Sequence, residues 1–264
     1  VIDSPDIPLN VSRSALQSDR RVKSIGNFIA KKLADKLKTL KKDEIQFYAD
    51  IWDSISPFIK IGAMEDEKFA EQVKEIILYS TTKNTSTDNA DTNELIKSGS
   101  KTFTTLDGYK NRLTDENKKV LYSTDEVSQA TALNMWTSQG KEVLKLDTVI
   151  DTQFIPWLEE KNKEINFVRV DSELDESIKD DSPEIADKDG NTKSETLKKM
   201  ISSALNNEKV TVQVQSLKGE NSPPSLILLP EQMRRINDIT ALMEQKLPGL
   251  PEYHNLIVNS NHPL

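Results

Sequence analysis

One cation stands among the first seventeen residues. Arg13 sits between Asn10, Ser12 and Gln17, where an apolar opening gives way to a polar stretch. A guanidinium is planar, always charged and carries five N–H donors, which is the equipment needed to neutralise charge on a phosphoryl group in transfer. By residue type alone, an arginine in a loop is more often a solvated surface charge, and both readings stand at this point. The remaining candidates are poorer. His254 and His262 lie eight residues apart without further ligand types and read as surface or loop residues, not a metal site. Gly140 and Lys141 lack the upstream glycine of a phosphate loop, and no GxSxG, HExxH or GxGxxG pattern occurs. Carboxylates are numerous, but no pair stands out as an acid/base couple. The chain contains no cysteine, which excludes disulfides, thiol nucleophiles and cysteine-based metal sites. On motifs alone this is not a self-contained enzyme.

The net charge of -8 argues against nucleic acid or an anionic membrane as main partner, because phosphate surfaces require clustered Lys and Arg. The basic run from Lys31 and Lys32 to Lys41 and Lys42 has acid nearby and reads as the solvated face of a helix. No apolar run approaches the ~20 residues of a membrane helix, and no signal peptide is recognisable. A chain of 264 residues is long enough for two domains. It opens in mid-pattern without a Met, so a boundary inside a longer protein is expected.

The elements that would position such residues follow from periodicity. Val22, Ile25, Ile29, Leu33, Leu37 and Leu40 recur every three or four residues and predict an amphipathic helix with lysines outward. Asp43 and Gln46 suggest a capping box for a second helix, with Ile45, Tyr48, Ile51, Trp52, Ile55 and Ile59 inward and Gly62 at its end. Phe69, Val73, Ile76 and Ile77 mark a third. Residues 80–94 hold no large apolar side chain and read as a loop. Short strands and helices then alternate: strands at 120–122, 142–146 and 167–170, helices at 125–138 and 152–161. Gly140 stands at a helix end, and Pro156 obscures where the second helix starts. This alternation predicts a small parallel sheet. Residues 171–191 carry nine acidic side chains against two lysines and read as a linker. A second α+β unit follows, with a helix at 194–205, strands at 210–214, 226–229 and 255–258, and a helix at 230–247. The fold class expected is therefore α+β with an α/β part: a three-helix coil, a small parallel α/β unit, then a partial α+β domain.

The stretch from Val1 to Gln17 closely resembles the catalytic loop of the middle domain in the 90-kDa heat-shock chaperone family, in its bacterial form. Further segments resemble that family in the same order: Phe58 to Glu67, Ile77 to Ser80, Thr105 to Tyr109 with Arg112 and Leu113, Val120 to Thr124, and Gly140 to Leu146 with Ile150 and Asp151. The likeness is specific to about residue 170 and looser over 192–264. It implies a middle-domain segment over 1–170 (loop 1–19, helical coil 20–80, α/β unit 95–170), a linker at 171–191 and part of a C-terminal domain at 192–264. It implies that Arg13 binds the γ-phosphate of ATP held with Mg by a separate N-terminal domain, with Gln17 assisting and Asn10 shaping the loop. Ser14 departs from the acidic residue frequent in the family, which affects local pairing in the loop. The isolated segment is expected to bind no cofactor. Implied partners are unfolded client proteins, the N-terminal domain and, through more distal helices, a second copy; the implied location is the cytoplasm.

Two client-contact candidates follow. Met233, Ile236 and Met243 share a helical stripe with Thr240 and Leu247, and flexible Met suits surfaces that accept many partners, though such a stripe is equally a core face. Phe154 and Trp157 are bulky and adjacent, and read either as packing of a helix on a sheet or as apolar client surface. Another class of function, a non-enzymatic interaction scaffold, accounts for the acidic α/β units equally well without the resemblance.

Overall fold

The computed structural model describes residues 20–83, 95–113, 119–172, 174, 179–180, 192–218, 222–229, 240 and 253–263. Asn10, Arg13 and Gln17 lie outside the described residues, as do Met233, Ile236 and Met243. The described part begins with helices α1 (Arg20–Asp43), α2 (Ile45–Glu65) and α3 (Glu67–Val73), which pack on one another as the expected coil. The face that α1 buries is rotated from the one its large residues suggest. Ala34 and Leu37 are buried and Ala30 packs behind them, whereas Leu33 is 45% exposed. Small alanines let the helices approach closely, and that proximity outweighs one leucine.

The junctions also differ from the sequence reading. Asp43 ends α1, and α2 starts at Ile45 with Glu44 as an N-cap that makes no side-chain bond; Gln46 instead donates to Asp50 at 2.9 Å. Gly62 does not end α2, which runs on to Glu65. Its role is clearance, since a Cβ there would meet the Phe69 ring at 3.0 Å. The true break is Asp66, whose carboxylate caps α3 by accepting from the N–H groups of Lys68 (2.8 Å) and Phe69 (3.1 Å).

Six strands form a mixed sheet in the order β2-β3-β1-β5-β4-β6: β1 (Tyr79–Thr81), β2 (Ile96–Ser98), β3 (Lys101–Thr104), β4 (Lys119–Ser123), β5 (Leu144–Lys145) and β6 (Asn166–Arg169). The predicted parallel unit is its β5-β4-β6 half. The β1, β2 and β3 strands extend it antiparallel, so residues 80 and 81 are strand, not loop. Helix α4 (Leu106–Asn111) precedes β4. Helix α5 (Ala130–Ser138) starts five residues later than expected, because residues 126–129 form a turn. It ends with Gly140 at φ +75°, where Lys141 N–H reaches the Trp136 carbonyl (3.1 Å) and Gly140 N–H that of Thr137 (3.0 Å). Helix α6 (Asp151–Lys161) carries Pro156 inside it, on its exposed side.

The central strand β4 explains the layering. Val120 and Tyr122 join a core with the helical coil and α6, while Leu121 points to the opposite face, against α5. That second core continues into a three-stranded sheet, β7 (Val210–Gln215), β9 (His254–Asn259) and β8 (Ser225–Leu228) in the order β7-β9-β8, through Leu226, Leu228 and Ile257. Helix α7 (Lys193–Leu205) precedes β7, with a capping box formed by Thr192 and Glu195. Trp136 Nε1 donates to the Val170 carbonyl (3.0 Å) and ties α5 to the end of β6, where Leu229 N–H donates to the Asp171 carbonyl (3.1 Å) and links the two sheets.

Candidate functional site

Trp157 marks the most developed surface feature near the predicted contacts. It is half-buried on α6 and stacks on Phe154, with ring centroids 5.2 Å apart and planes at 19°. Phe154 itself is fully buried, so the expectation that it meets a client is corrected: its ring is the support on which Trp157 rests. Trp157 lines a groove of about 380 Å³ between α3, α4 and α6, with Ala70, Ile77, Leu106 and Leu158 as apolar walls. The rim is charged and partly paired: Lys161–Glu67 at 2.7 Å, Lys74–Glu71 at 2.7 Å and Lys110 between Glu164 (3.0 Å) and Asp107 (4.0 Å), while Glu75 makes no ion pair among the described residues. The hydrogen bond from Lys161 holds the Glu67 carboxyl below the usual carboxylate range, and the same bond holds the lysine above its own. An aromatic plate and an apolar floor inside a charged rim can hold an apolar side chain.

Helix α6 is positioned by a buried ion pair. Lys60 on α2 donates to Asp151, the first residue of α6, at 2.5 Å, with side-chain exposures of 6% and 2%. Asp151 also accepts from the Thr148 hydroxyl (2.6 Å) and N–H (3.1 Å), and Lys60 Nζ lies 5.5 Å from the centre of the Phe154 ring. The ammonium thus contacts both the start of α6 and the ring that carries Trp157. Lys60 and Asp151 are 91 residues apart; both fall in segments quoted for their family likeness, but nothing local in the sequence pairs them.

Several segments quoted for their family likeness meet in a second buried network. Thr105 caps α4 through Gly108 N–H (3.0 Å). Tyr109 OH donates to the Glu142 carbonyl (2.8 Å) and accepts from Leu121 N–H (3.1 Å). Arg112 grips the Glu142 carboxylate with two bonds of 2.9 Å, and Thr81 adds a third at 2.8 Å. These residues are built into the scaffold, binding α4 to β1, β4 and the approach to β5. Among the described residues, no group of three or more His, Cys, Asp or Glu could hold a metal ion, and no helix is long and apolar enough to cross a membrane.

The fold is thus that of a mixed α/β protein with an apolar-floored groove between α3, α4 and α6. The chain belongs to the Hsp90 family: the profile described as Hsp90 protein matches residues 1–264. The chaperone protein HtpG of Porphyromonas gingivalis is 35% identical over the whole chain, and that of Bacteroides thetaiotaomicron 32%. The chain spans 38% of the length of each of these two relatives. Among solved structures, the middle domain of a Plasmodium falciparum heat shock protein is similar over 60% of this chain and 61% of its own, with a TM-score of 0.45 and 18% identity.

Proposed function

We propose that this chain is the segment of an ATP-dependent chaperone that lends an arginine loop to ATP hydrolysis and offers apolar surface to client proteins. The observation that carries the proposal is the family match, which covers residues 1–264 and so includes the Arg13 loop. In this reading Arg13 reaches ATP·Mg held by an N-terminal domain, where its guanidinium offsets charge on the γ-phosphoryl group, and Gln17 and Asn10 set the loop's approach. Those three residues lie outside the described structure, so their roles rest on the sequence. Client contact falls to Trp157 in its groove, and to the stripe of Met233, Ile236 and Met243. The full protein works as a cytoplasmic homodimer, with ATP and Mg bound elsewhere than on this segment.

The test is steady-state ATP turnover and nucleotide affinity of the full-length protein, with Arg13 intact or replaced by Ala. Loss of a contact made mainly in the transition state lowers turnover by about 10²–10³ while ADP affinity stays nearly constant. Equal turnover in the two proteins would refute the role of Arg13 and leave a client-binding scaffold.

A further inference from the structure

We propose that the outer edge of β8 is a docking site for an extended, non-acidic peptide segment, which adds to the three-stranded sheet as a fourth strand. Among the described strands, β8 pairs with β9 alone, at the edge of the β7-β9-β8 sheet. The bond from Asn259 N–H to the Pro224 carbonyl, 2.9 Å, sets the phase of the ladder. Leu226 and Leu228 therefore direct their backbone groups to β9, and Ser225, Ile227 and Leu229 direct theirs outward. One of these outward positions is already used in this way, since Leu229 N–H donates to the Asp171 carbonyl at 3.1 Å. The backbone groups of Ser225 and Ile227 take no partner among the described residues, and Ile227 is 61% exposed.

The edge opens into a cavity of about 590 Å³, larger than the Trp157 groove. Its facing wall is formed by Thr124 and Ser128 beyond β4 and by the end of β6, and Ala132 and Leu256 add apolar surface. Alternate residues of a strand repeat at about 6.8 Å. An extended backbone matches such a row of donors and acceptors, whereas a compact molecule meets only one member of it. Charge narrows the occupant further. Arg169 is bonded to Asp171 at 2.5 and 3.0 Å, which neutralises both. Among the described lining residues, Asp125 then stands as an acid without a cationic partner in the cavity, and the Ser128 hydroxyl holds its carboxyl below the usual range. The described part of the wall is net negative, which favours neutral or cationic segments. This site is separate from the Trp157 groove and independent of the ATPase reading.

The experiment uses the whole 264-residue chain, isotope-labelled, and an end-blocked heptapeptide of alternating Val and Lys. On binding, the Ser225 and Ile227 amides should shift and gain protection from exchange. Methylating the peptide's backbone nitrogens at alternate positions should weaken binding about tenfold or more in one register and by less than about twofold in the other. Ile227→Pro removes one outward N–H and leaves the bonds to β9 in place; it should weaken binding comparably while the far-UV spectrum is retained. If that variant fails to fold, the methylated peptides decide the matter without it. Absence of binding, equal weakening in both registers, or a folded Ile227→Pro chain that binds as the wild type would overturn the proposal.

Discussion

Replacing Lys60 by Met should destabilise the chain more than almost any other single change outside its apolar cores. The substitution keeps the length and apolar stem of the side chain and removes the ammonium, so Asp151, 2% exposed, is left as a buried carboxylate without its cation. Breaking one member of a buried pair ordinarily costs about 3–5 kcal/mol. The lower end applies here, because Asp151 keeps the Thr148 hydroxyl and N–H and stands in the first turn of α6, where the helix dipole favours a negative charge. A loss of about 3 kcal/mol corresponds to a fall in melting temperature of roughly 6–12 °C for a protein of this size. The assay is calorimetry with urea titration on wild type, Lys60→Met, Asp151→Asn and the double variant. The double variant should lose less than the sum of the single losses, because neither partner is then left charged alone. Losses below about 1 kcal/mol, or strict additivity, would refute the idea that this pair fixes α6 against α2.

Three further outcomes are expected. Trp157→Ala should weaken binding of an unfolded reporter protein by about tenfold or more in fluorescence anisotropy, while a half-buried ring makes the loss of stability moderate; unchanged affinity would remove the groove from client contact. Gly140→Ala should cost about 1–2 kcal/mol in chemical denaturation, because φ is +75° there while no atom lies within 4 Å of the new Cβ, so the penalty is purely conformational. Burial pushes the phenols of Tyr48 and Tyr79 above their ordinary range. A raised folded pKa means this stability is fully present below pH ~10 and is lost as pH climbs beyond it; phenolate absorbance should therefore show part of the five tyrosines ionising only as the chain unfolds.

How much of this was legible in the chain depended on range. Helices α1 and α2 and strands β4, β6, β7 and β9 announced themselves, because each is long enough to repeat a hydrophobic period or holds a compact β-branched run. Strands β1, β2 and β3 did not: three or four residues rich in Ser, Thr and Lys carry no period, and they become strands only beside β5 and one another. The inward face of α1 was misjudged for a related reason, since Ala34 is worth burying only when another helix is close enough to use its smallness.

By itself, the sequence determined membership in the Hsp90 family, the absence of cysteine chemistry, the acidic balance and most of the regular elements, all properties of composition or of near neighbours. The tertiary structure decided that Lys60 meets Asp151, that Arg112 grips Glu142, that Phe154 supports Trp157 from below, and that β8 lies at a sheet edge beside a cavity. These are consequences of which surfaces come together. Desolvation and pairing act between groups tens of residues apart, and no local pattern records that distance.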